Sequence, residues 1–277
     1  MESKDLSIVI VTFKSEDKIF NCVDSIPENV EVKIIENSNN KTFKKNIENK
    51  YKNVTCILTG ENKGYAVANN IGLRNIKSKY ALVLNPDTIL KKDTIKNFFV
   101  TANNYKDFWL IGPGNDQVEN KKFKNNNTIE VKNLKGFGIF FNMSKFNQNF
   151  FDENYFLYFE EIDLCNYVLK NNGKIYLDQT IIINHEGGSS VVKTKKKELE
   201  KNRNWHWMWS TFYFHKKYKG LFFALIIIFP KLVSSFLKTI FYLLIFNKEK
   251  RDIYYCRLSG IINSIIGNKS WYRPSLD

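Results

Sequence analysis

The sequence predicts an α/β fold built on an open, mostly parallel sheet. Three features predict it: short β-branched apolar runs, helical segments that alternate with them, and polar clusters at the carboxyl ends of the runs. Alternation of this kind implies right-handed crossovers between parallel strands. Ligands of such sheets sit beyond the carboxyl ends of the strands, where the polar clusters fall.

Leu6 to Phe13 is a β-branched, mostly apolar run, as in a strand buried on both faces. A helix follows, with Ser15 as its N-cap and Ile19, Phe20 and Val23 on one side. Val30 to Ile35 reads as a second strand, closed by the polar turn residues 36–40. Lys41 to Lys52 is a basic helix and Val54 to Leu58 a third strand. A glycine loop from Gly60 to Gly64 leads into a helix from Ala66 to Ile76. Tyr80 to Leu84 is a fourth strand, stopped by Asn85-Pro86-Asp87. A helix from Lys91 to Asn104 comes next, and residues 112–133, rich in Asn, Lys and Gly, read as a loop or flap. Residues 136–141 return to strand character, Glu160 to Asn171 reads as a helix, and Lys174 to Asn184 as a strand leading to His185.

Charge separates the last third from the rest. The net charge is +14, but residues 1–190 hold 25 Lys+Arg against 23 Asp+Glu, and residues 191–277 hold 17 against 5. Four of the five tryptophans share that basic third. Cations mixed with Trp and long apolar stretches suit an anionic membrane surface, whereas a specific nucleic-acid partner would need a basic groove on the near-neutral domain. Lys193 to Trp209 is a basic helix, and Leu221 to Phe246 is strongly apolar, interrupted by Pro230, Lys231 and Lys238. Pro230 predicts a break, so interfacial helices or a re-entrant hairpin are expected ahead of a clean span. A buried amphipathic subdomain is the competing reading. Gly260 to Gly267 is a further short helix. The expected division is therefore residues 1–192 for catalysis and 193–277 for the membrane.

The four cysteines are scattered with no C-x-x-C pair, which fits a reducing compartment and excludes a zinc or disulfide framework. The amino terminus shows no basic start with a long apolar core and cleavage site, so the expectation is cytoplasmic, at the inner face of the cell membrane.

Several groups carry chemistry. Asp87, projecting from the end of a buried strand, could supply an oxygen ligand for the divalent cation that a diphosphate requires. The bland reading is a turn, since Asn, Pro and Asp are all turn formers. Glu160, Glu161 and Asp163 crowd carboxylates beside aromatic residues, where desolvation favours a proton acceptor, though an acidic first turn also suits the helix dipole. His185 ends a strand beside two glycines, a place for a metal-ligating imidazole, though a lone histidine is more often a surface or structural one. Glu36 could accept the imide N–H of uracil or thymine, or simply serve its turn. Asn62-Lys63-Gly64-Tyr65 suits phosphate or ribose contact.

Together these elements resemble the family 2 glycosyltransferases of GT-A fold, especially the rhamnosyltransferase-like branch that builds bacterial surface polysaccharides. The matching pieces run in the family's order: Ile10-Val11-Thr12-Phe13, Glu36-Asn37-Ser38, Asn62-Lys63-Gly64-Tyr65 with Asn69-Asn70, Leu84-Asn85-Pro86-Asp87, Tyr158 to Cys165, and His185 followed by Gly188-Ser189. The resemblance implies an inverting hexosyltransferase, with a dTDP- or UDP-linked donor, Mg²⁺ or Mn²⁺, and a lipid-linked or growing glycan as acceptor; a homodimer is a separate expectation. Thr12, Glu36, Asn62, Gly64 and Asn69 would line the donor pocket, and Asn85 would face the ribose. Asp87 and His185 would hold the metal. Glu161 falls on the position of the general base, with Asp163 as the alternative. Asn85 stands where the family's metal motif has its first Asp, Glu36 where it has an Asp, and Glu160-Glu161 where it has Glu-Asp. The competing class is an inactive scaffold that binds glycan at the membrane.

Overall fold

The computed structural model describes residues 3–114, 127–185 and 193–273. The chain divides into two compact units, residues 1–152 with 161–190, and residues 153–160 with 191–277.

In the first unit the predicted alternation is realised: β1 (Leu6–Thr12), α1 (Glu16–Asp24), β2 (Glu31–Glu36), α2 (Lys41–Lys50), β3 (Val54–Leu58), α3 (Tyr65–Arg74) and β4 (Tyr80–Leu84). Every residue of β1 and β4 is buried, as continuous apolar runs require when helices cover both faces. There follow β5 (Thr88–Leu90), α4 (Thr94–Asn104), β6 (Phe108–Pro113), β7 (Thr128–Glu130), β8 (Gly138–Asn142), α5 (Glu160–Lys170), β9 (Lys174–Asp178) and β10 (Ile183–His185). The main sheet has eight strands in the order β3-β2-β1-β4-β8-β6-β9-β7. Its first four strands are parallel, β8 is antiparallel to both β4 and β6, β6 and β9 are parallel, and β7 is antiparallel to β9. β5 and β10 form a separate antiparallel ribbon.

Phe140 anchors the core, its ring stacked on Phe98 at 4.9 Å and on Tyr80 at 5.2 Å. The four cysteines are buried and free.

The structure corrects four local readings. Ser15 precedes α1 but makes no side-chain cap; its hydroxyl donates to the Phe13 carbonyl instead. The strand read from Lys174 to Asn184 is two strands, because the Asp178 carboxylate takes up the amide and hydroxyl of Thr180 in a turn. Of the segment 112–133 read as a loop or flap, residues 115–126 lie outside the described residues; its start belongs to β6 and its end contains β7, whose Thr128 hydroxyl reaches the same carboxylate. β6, a short apolar run closed by Gly112-Pro113, is absent from the elements the sequence predicts.

The fourth correction lies in the second unit. α6 (Lys193–Leu244) is helical apart from Gly220, whose φ of 81° and ψ of 168° break it into α6a (193–219) and α6b (221–244). Helix α7 (Lys248–Ile265) completes the unit and is longer than the predicted 260–267 segment. Pro230 does not break the helix. Glycine alone enters this positive-φ region without a Cβ clash, so the chain turns there, and α6b runs on through its proline. Met208 and Phe212 of α6a, Ala224 and Ile228 of α6b and Ile261 of α7 form a small apolar core. His206 packs against Phe156 at 4.4 Å, with one ring nitrogen 2.8 Å from Ser270 Oγ and the other 2.8 Å from the Tyr272 carbonyl. Burial pushes this imidazole down to about 3, so it is neutral.

Candidate active site

The site is built on the carboxyl edge of β1, β2 and β4, within the first unit. Thr12 ends β1 beside Glu36 at the end of β2, in register. The Thr12 hydroxyl is buried and has no hydrogen-bond partner in the structure, the kind of orphaned group a ligand satisfies. Glu36 is also buried, and its two oxygens accept from the Ser38 hydroxyl at 2.6 Å and the Asn40 amide at 3.0 Å. The carboxylate therefore serves its own turn.

Asn37, next in the chain, does more than the sequence suggested. Its amide nitrogen donates to Asn62 Oδ1 at 3.0 Å and to the Gly64 carbonyl at 3.2 Å, and its oxygen accepts the Lys63 amide at 3.0 Å. This clasp holds the 62–64 loop against β2. Gly64 caps α3 with φ 86° and ψ 172°, a conformation open to glycine. Asn69 is fully buried, with its nitrogen bonded back to the Tyr65 carbonyl and its oxygen unpartnered. Asn70 makes paired bonds to the backbone of Phe151, at 2.8 and 3.0 Å. Both asparagines thus sit inside the protein.

Beyond β4 the chain makes a β-turn. The Asn85 carbonyl accepts the Thr88 amide at 3.3 Å and the Thr88 hydroxyl at 2.7 Å, with Pro86 and Asp87 at the central positions. The Asn85 amide donates to the Phe137 carbonyl at 3.1 Å, which ties this turn to the start of β8. Asp87 is left at the rim. In the β5–β10 ribbon His185 lies opposite Thr88, and its Nε2 comes within 3.3 Å of Asp87 Oδ1. The imidazole is stacked on Phe137 at 5.0 Å, with 9° between the planes.

Glu161, in the first turn of α5, completes the edge. Its side chain lies against Gly136: a Cβ placed on that glycine would be 3.6 Å from Glu161 Cβ and 3.9 Å from its Cδ. The Gly136 carbonyl is 3.0 Å from Tyr65 Oη, which is 3.1 Å from Asn85 Oδ1. A phenol has one proton and Gly136 offers only an acceptor. Asn85 therefore satisfies the trio best with its amide nitrogen turned to Tyr65. Burial pushes the Glu161 carboxyl above the ordinary glutamate range, opposed by the amides of Glu161 and Ile162. Asp163 is only 3% exposed.

Asp87 and His185 thus offer one carboxylate oxygen and one imidazole nitrogen. Among the described residues no group of three His, Cys, Asp or Glu converges into a closed cage. Such a pair fits a divalent cation that takes its remaining ligands from a diphosphate and water. The Gly188-Ser189 part of the sequence pattern lies outside the described residues.

The model of glycosyl transferase family 2 matches residues 7–165, more than half of the chain and all of the edge just described except His185. The chain belongs to that family. Glycosyl transfer from a nucleotide-sugar donor is the chemistry this membership brings. A low-salt glycan biosynthesis hexosyltransferase of Haloferax volcanii is 26% identical over 208 residues, covering 65% of this chain and 67% of the relative. Among solved structures, the mannosyltransferase PcManGT of Pyrobaculum calidifontis, in complex with GDP-Man and Mn²⁺, aligns over 94% of this chain and 87% of its own, with TM-score 0.58 and 10% identity. GalNAc-T7 with UDP, GalNAc and Mn²⁺ aligns over 77% of this chain and 51% of its own, with TM-score 0.56 and 12% identity. S. aureus TarS aligns with TM-score 0.50 and 18% identity over 72% of this chain, which spans only 39% of the TarS chain. At these identities the likeness is one of fold, and the fold is GT-A.

Proposed function

We propose that this family member transfers a hexose, rhamnose foremost, from a dTDP- or UDP-linked donor to a lipid-linked or growing glycan, with inversion, at the inner face of the cell membrane. The observation that carries the reading is the meeting at one sheet edge of the Asp87–His185 pair and, across the Asn85–Tyr65–Gly136 contacts, of Glu161.

In this reading Thr12, with its unpartnered hydroxyl, and the 62–64 loop clasped by Asn37 receive the nucleotide. Asn85 faces the ribose. Asp87 and His185 would hold Mg²⁺ or Mn²⁺, which when bound offsets the charge of the diphosphate and eases its departure. Glu161 accepts the proton of the acceptor hydroxyl, whose oxygen attacks the anomeric carbon from the face opposite the leaving diphosphate. A carboxyl raised by burial is better matched to that task at neutral pH than an ordinary glutamate. Asp163, buried in α5, is less suited to meet an acceptor.

Membrane attachment is read from the second unit. Its α6 carries the one helix, among the described residues, long and apolar enough to cross a membrane. The side chains exposed there are chiefly Phe, Leu and Ile. Transfer or donor hydrolysis with a panel of nucleotide sugars, with and without Mg²⁺ or Mn²⁺, tests the enzymatic claim. Activity that needs metal and is lost in Asp87→Ala supports it; nucleotide-sugar binding without turnover for any donor and acceptor would leave the inactive scaffold.

A further inference from the structure

We infer that α6b lies flat within one leaflet of the membrane, parallel to its surface, with α6a and α7 above it on the aqueous side. The inference rests on the membrane attachment proposed above and adds its geometry.

One face of α6b is packed and the rest is open. Ala224, Ile228 and Ser235 are buried against the neighbouring helices. Phe222, Phe229, Phe236 and Leu243, spaced by seven residues, form an outer stripe that is 70, 62, 51 and 52% exposed. Between Leu221 and Phe246 the only charged residues are Lys231 and Lys238. Lys238 is turned toward the packed side, its Nζ 3.4 Å from Tyr254 Oη of α7. Such a long stem covers apolar surface while its ammonium stays near water.

Length alone would allow α6b to cross a bilayer. Its neighbours forbid it. Tyr254 of α7 also stacks on Tyr242 of α6b at 5.5 Å, and Ile261 packs with Ile228, so α7 runs antiparallel alongside α6b. α7 pairs in parallel with α6a through ions and polar groups: Lys197 with Glu249 at 2.7 Å, Lys201 with Asp252 at 3.7 Å, and Arg257 with Asn204 at 2.6 Å. These groups lie level with the carboxyl-terminal half of α6b. If α6b stood upright, they would be carried into hydrocarbon, where ionised side chains are costly. Laid on its side, the unit buries the apolar stripe and leaves every ion pair in water.

The flanking charge selects lipid as the occupant. Lys216, Lys217 and Lys219 precede the apolar helix, and Lys248, Lys250 and Arg251 follow it. In-plane placement brings both clusters to the same layer of anionic headgroups. A second copy of this chain on the stripe would set the same cations against each other.

The test places a nitroxide on the full-length protein at Phe222→Cys, Phe229→Cys, Phe236→Cys or Leu243→Cys, one at a time. The native cysteines are all buried and do not compete. Protein is bound to vesicles of phosphatidylcholine and phosphatidylglycerol, and depth is read from relaxation by O₂ against a water-soluble nickel chelate. Flotation is measured first, because failure to float removes the membrane attachment itself. For floating protein the expected result is four equal depths, ~5–10 Å below the headgroup boundary. The stripe is about 32 Å long at helical rise, close to the hydrocarbon thickness. Labels at 222 and 243 at opposite surfaces, with 229 and 236 deepest, would overturn the in-plane geometry and leave attachment standing. Exclusion of both relaxants at all four sites would overturn it too, since protein would then cover the stripe. The sites are read independently, so loss of one variant to misfolding does not remove the test.

Discussion

Replacing Glu161 by Gln separates chemistry from structure at this site. Gln keeps the volume and the place facing Gly136, and removes the ability to take a proton. A positioned general base contributes on the order of 10² to 10⁴ in rate, or about 2.7 to 5.4 kcal/mol of barrier. The expected kcat falls by that factor, with donor and metal affinity kept, because the groups read as holding donor and metal are Thr12, the 62–64 loop, Asp87 and His185. Stability should move the other way. Burial raises the folded-state pKa of Glu161, so its favourable contribution is complete below the unfolded glutamate pKa and is lost as pH rises through the higher folded value. At neutral pH the wild-type chain therefore holds a disfavoured buried carboxylate, and Glu161→Gln is expected to be equally or more stable there, with the difference closing in acid. The same shift places the acid limb of wild-type kcat/KM above the ordinary glutamate range. Steady-state transfer kinetics across pH, with thermal unfolding on the same samples, reads both effects. Retained turnover in Glu161→Gln, or a loss matched by a fall in Tm, would refute the assignment.

Other outcomes follow from the same geometry. Asp87→Ala should abolish Mn²⁺ binding in the presence of nucleoside diphosphate, followed by the Mn²⁺ electron-spin signal, while nucleoside binding persists. Tyr65→Phe removes the hydroxyl between Asn85 and Gly136 and should lower kcat/KM by roughly fivefold, the kinetic equivalent of about 1 kcal/mol for one hydrogen bond. Asp178→Ala leaves the Thr101, Thr128 and Thr180 hydroxyls without their shared acceptor, so urea unfolding of the first unit should shift by about 3 kcal/mol. His206 has a depressed folded pKa, so the stability it carries is present above about 6.5 and is lost as pH falls toward 3. The second unit should lose about 2 kcal/mol between pH 7 and pH 5, a slope absent from His206→Gln in thermal unfolding.

The alternation of β1 to β4 with their helices was legible in the sequence because near neighbours encode it: β-branched runs favour strands, and turn residues close them. For the same reason local composition alone places the turn at 85–87, the glycine loop at 62–64 and the carboxylates of α5 at strand or helix ends. The asymmetry of charge sets residues 191–277 apart in composition. Tertiary structure decided what depends on distant partners. Asp87 and His185 meet only because β5 and β10 pair as a ribbon, and neither strand carries a pattern that specifies its mate. Glu161 lies beside Gly136, just before β8, while Asp163 in the same turn of α5 is buried. Asn37 and Asp178 emerged as hubs because their donors arrive from other elements. The break in α6 falls at Gly220 and not at Pro230, since packing of Ala224 and Ile228 on α6a and α7 holds α6b together through its proline. Local propensity sets which segments become strands or helices, and long-range packing sets which side chains meet.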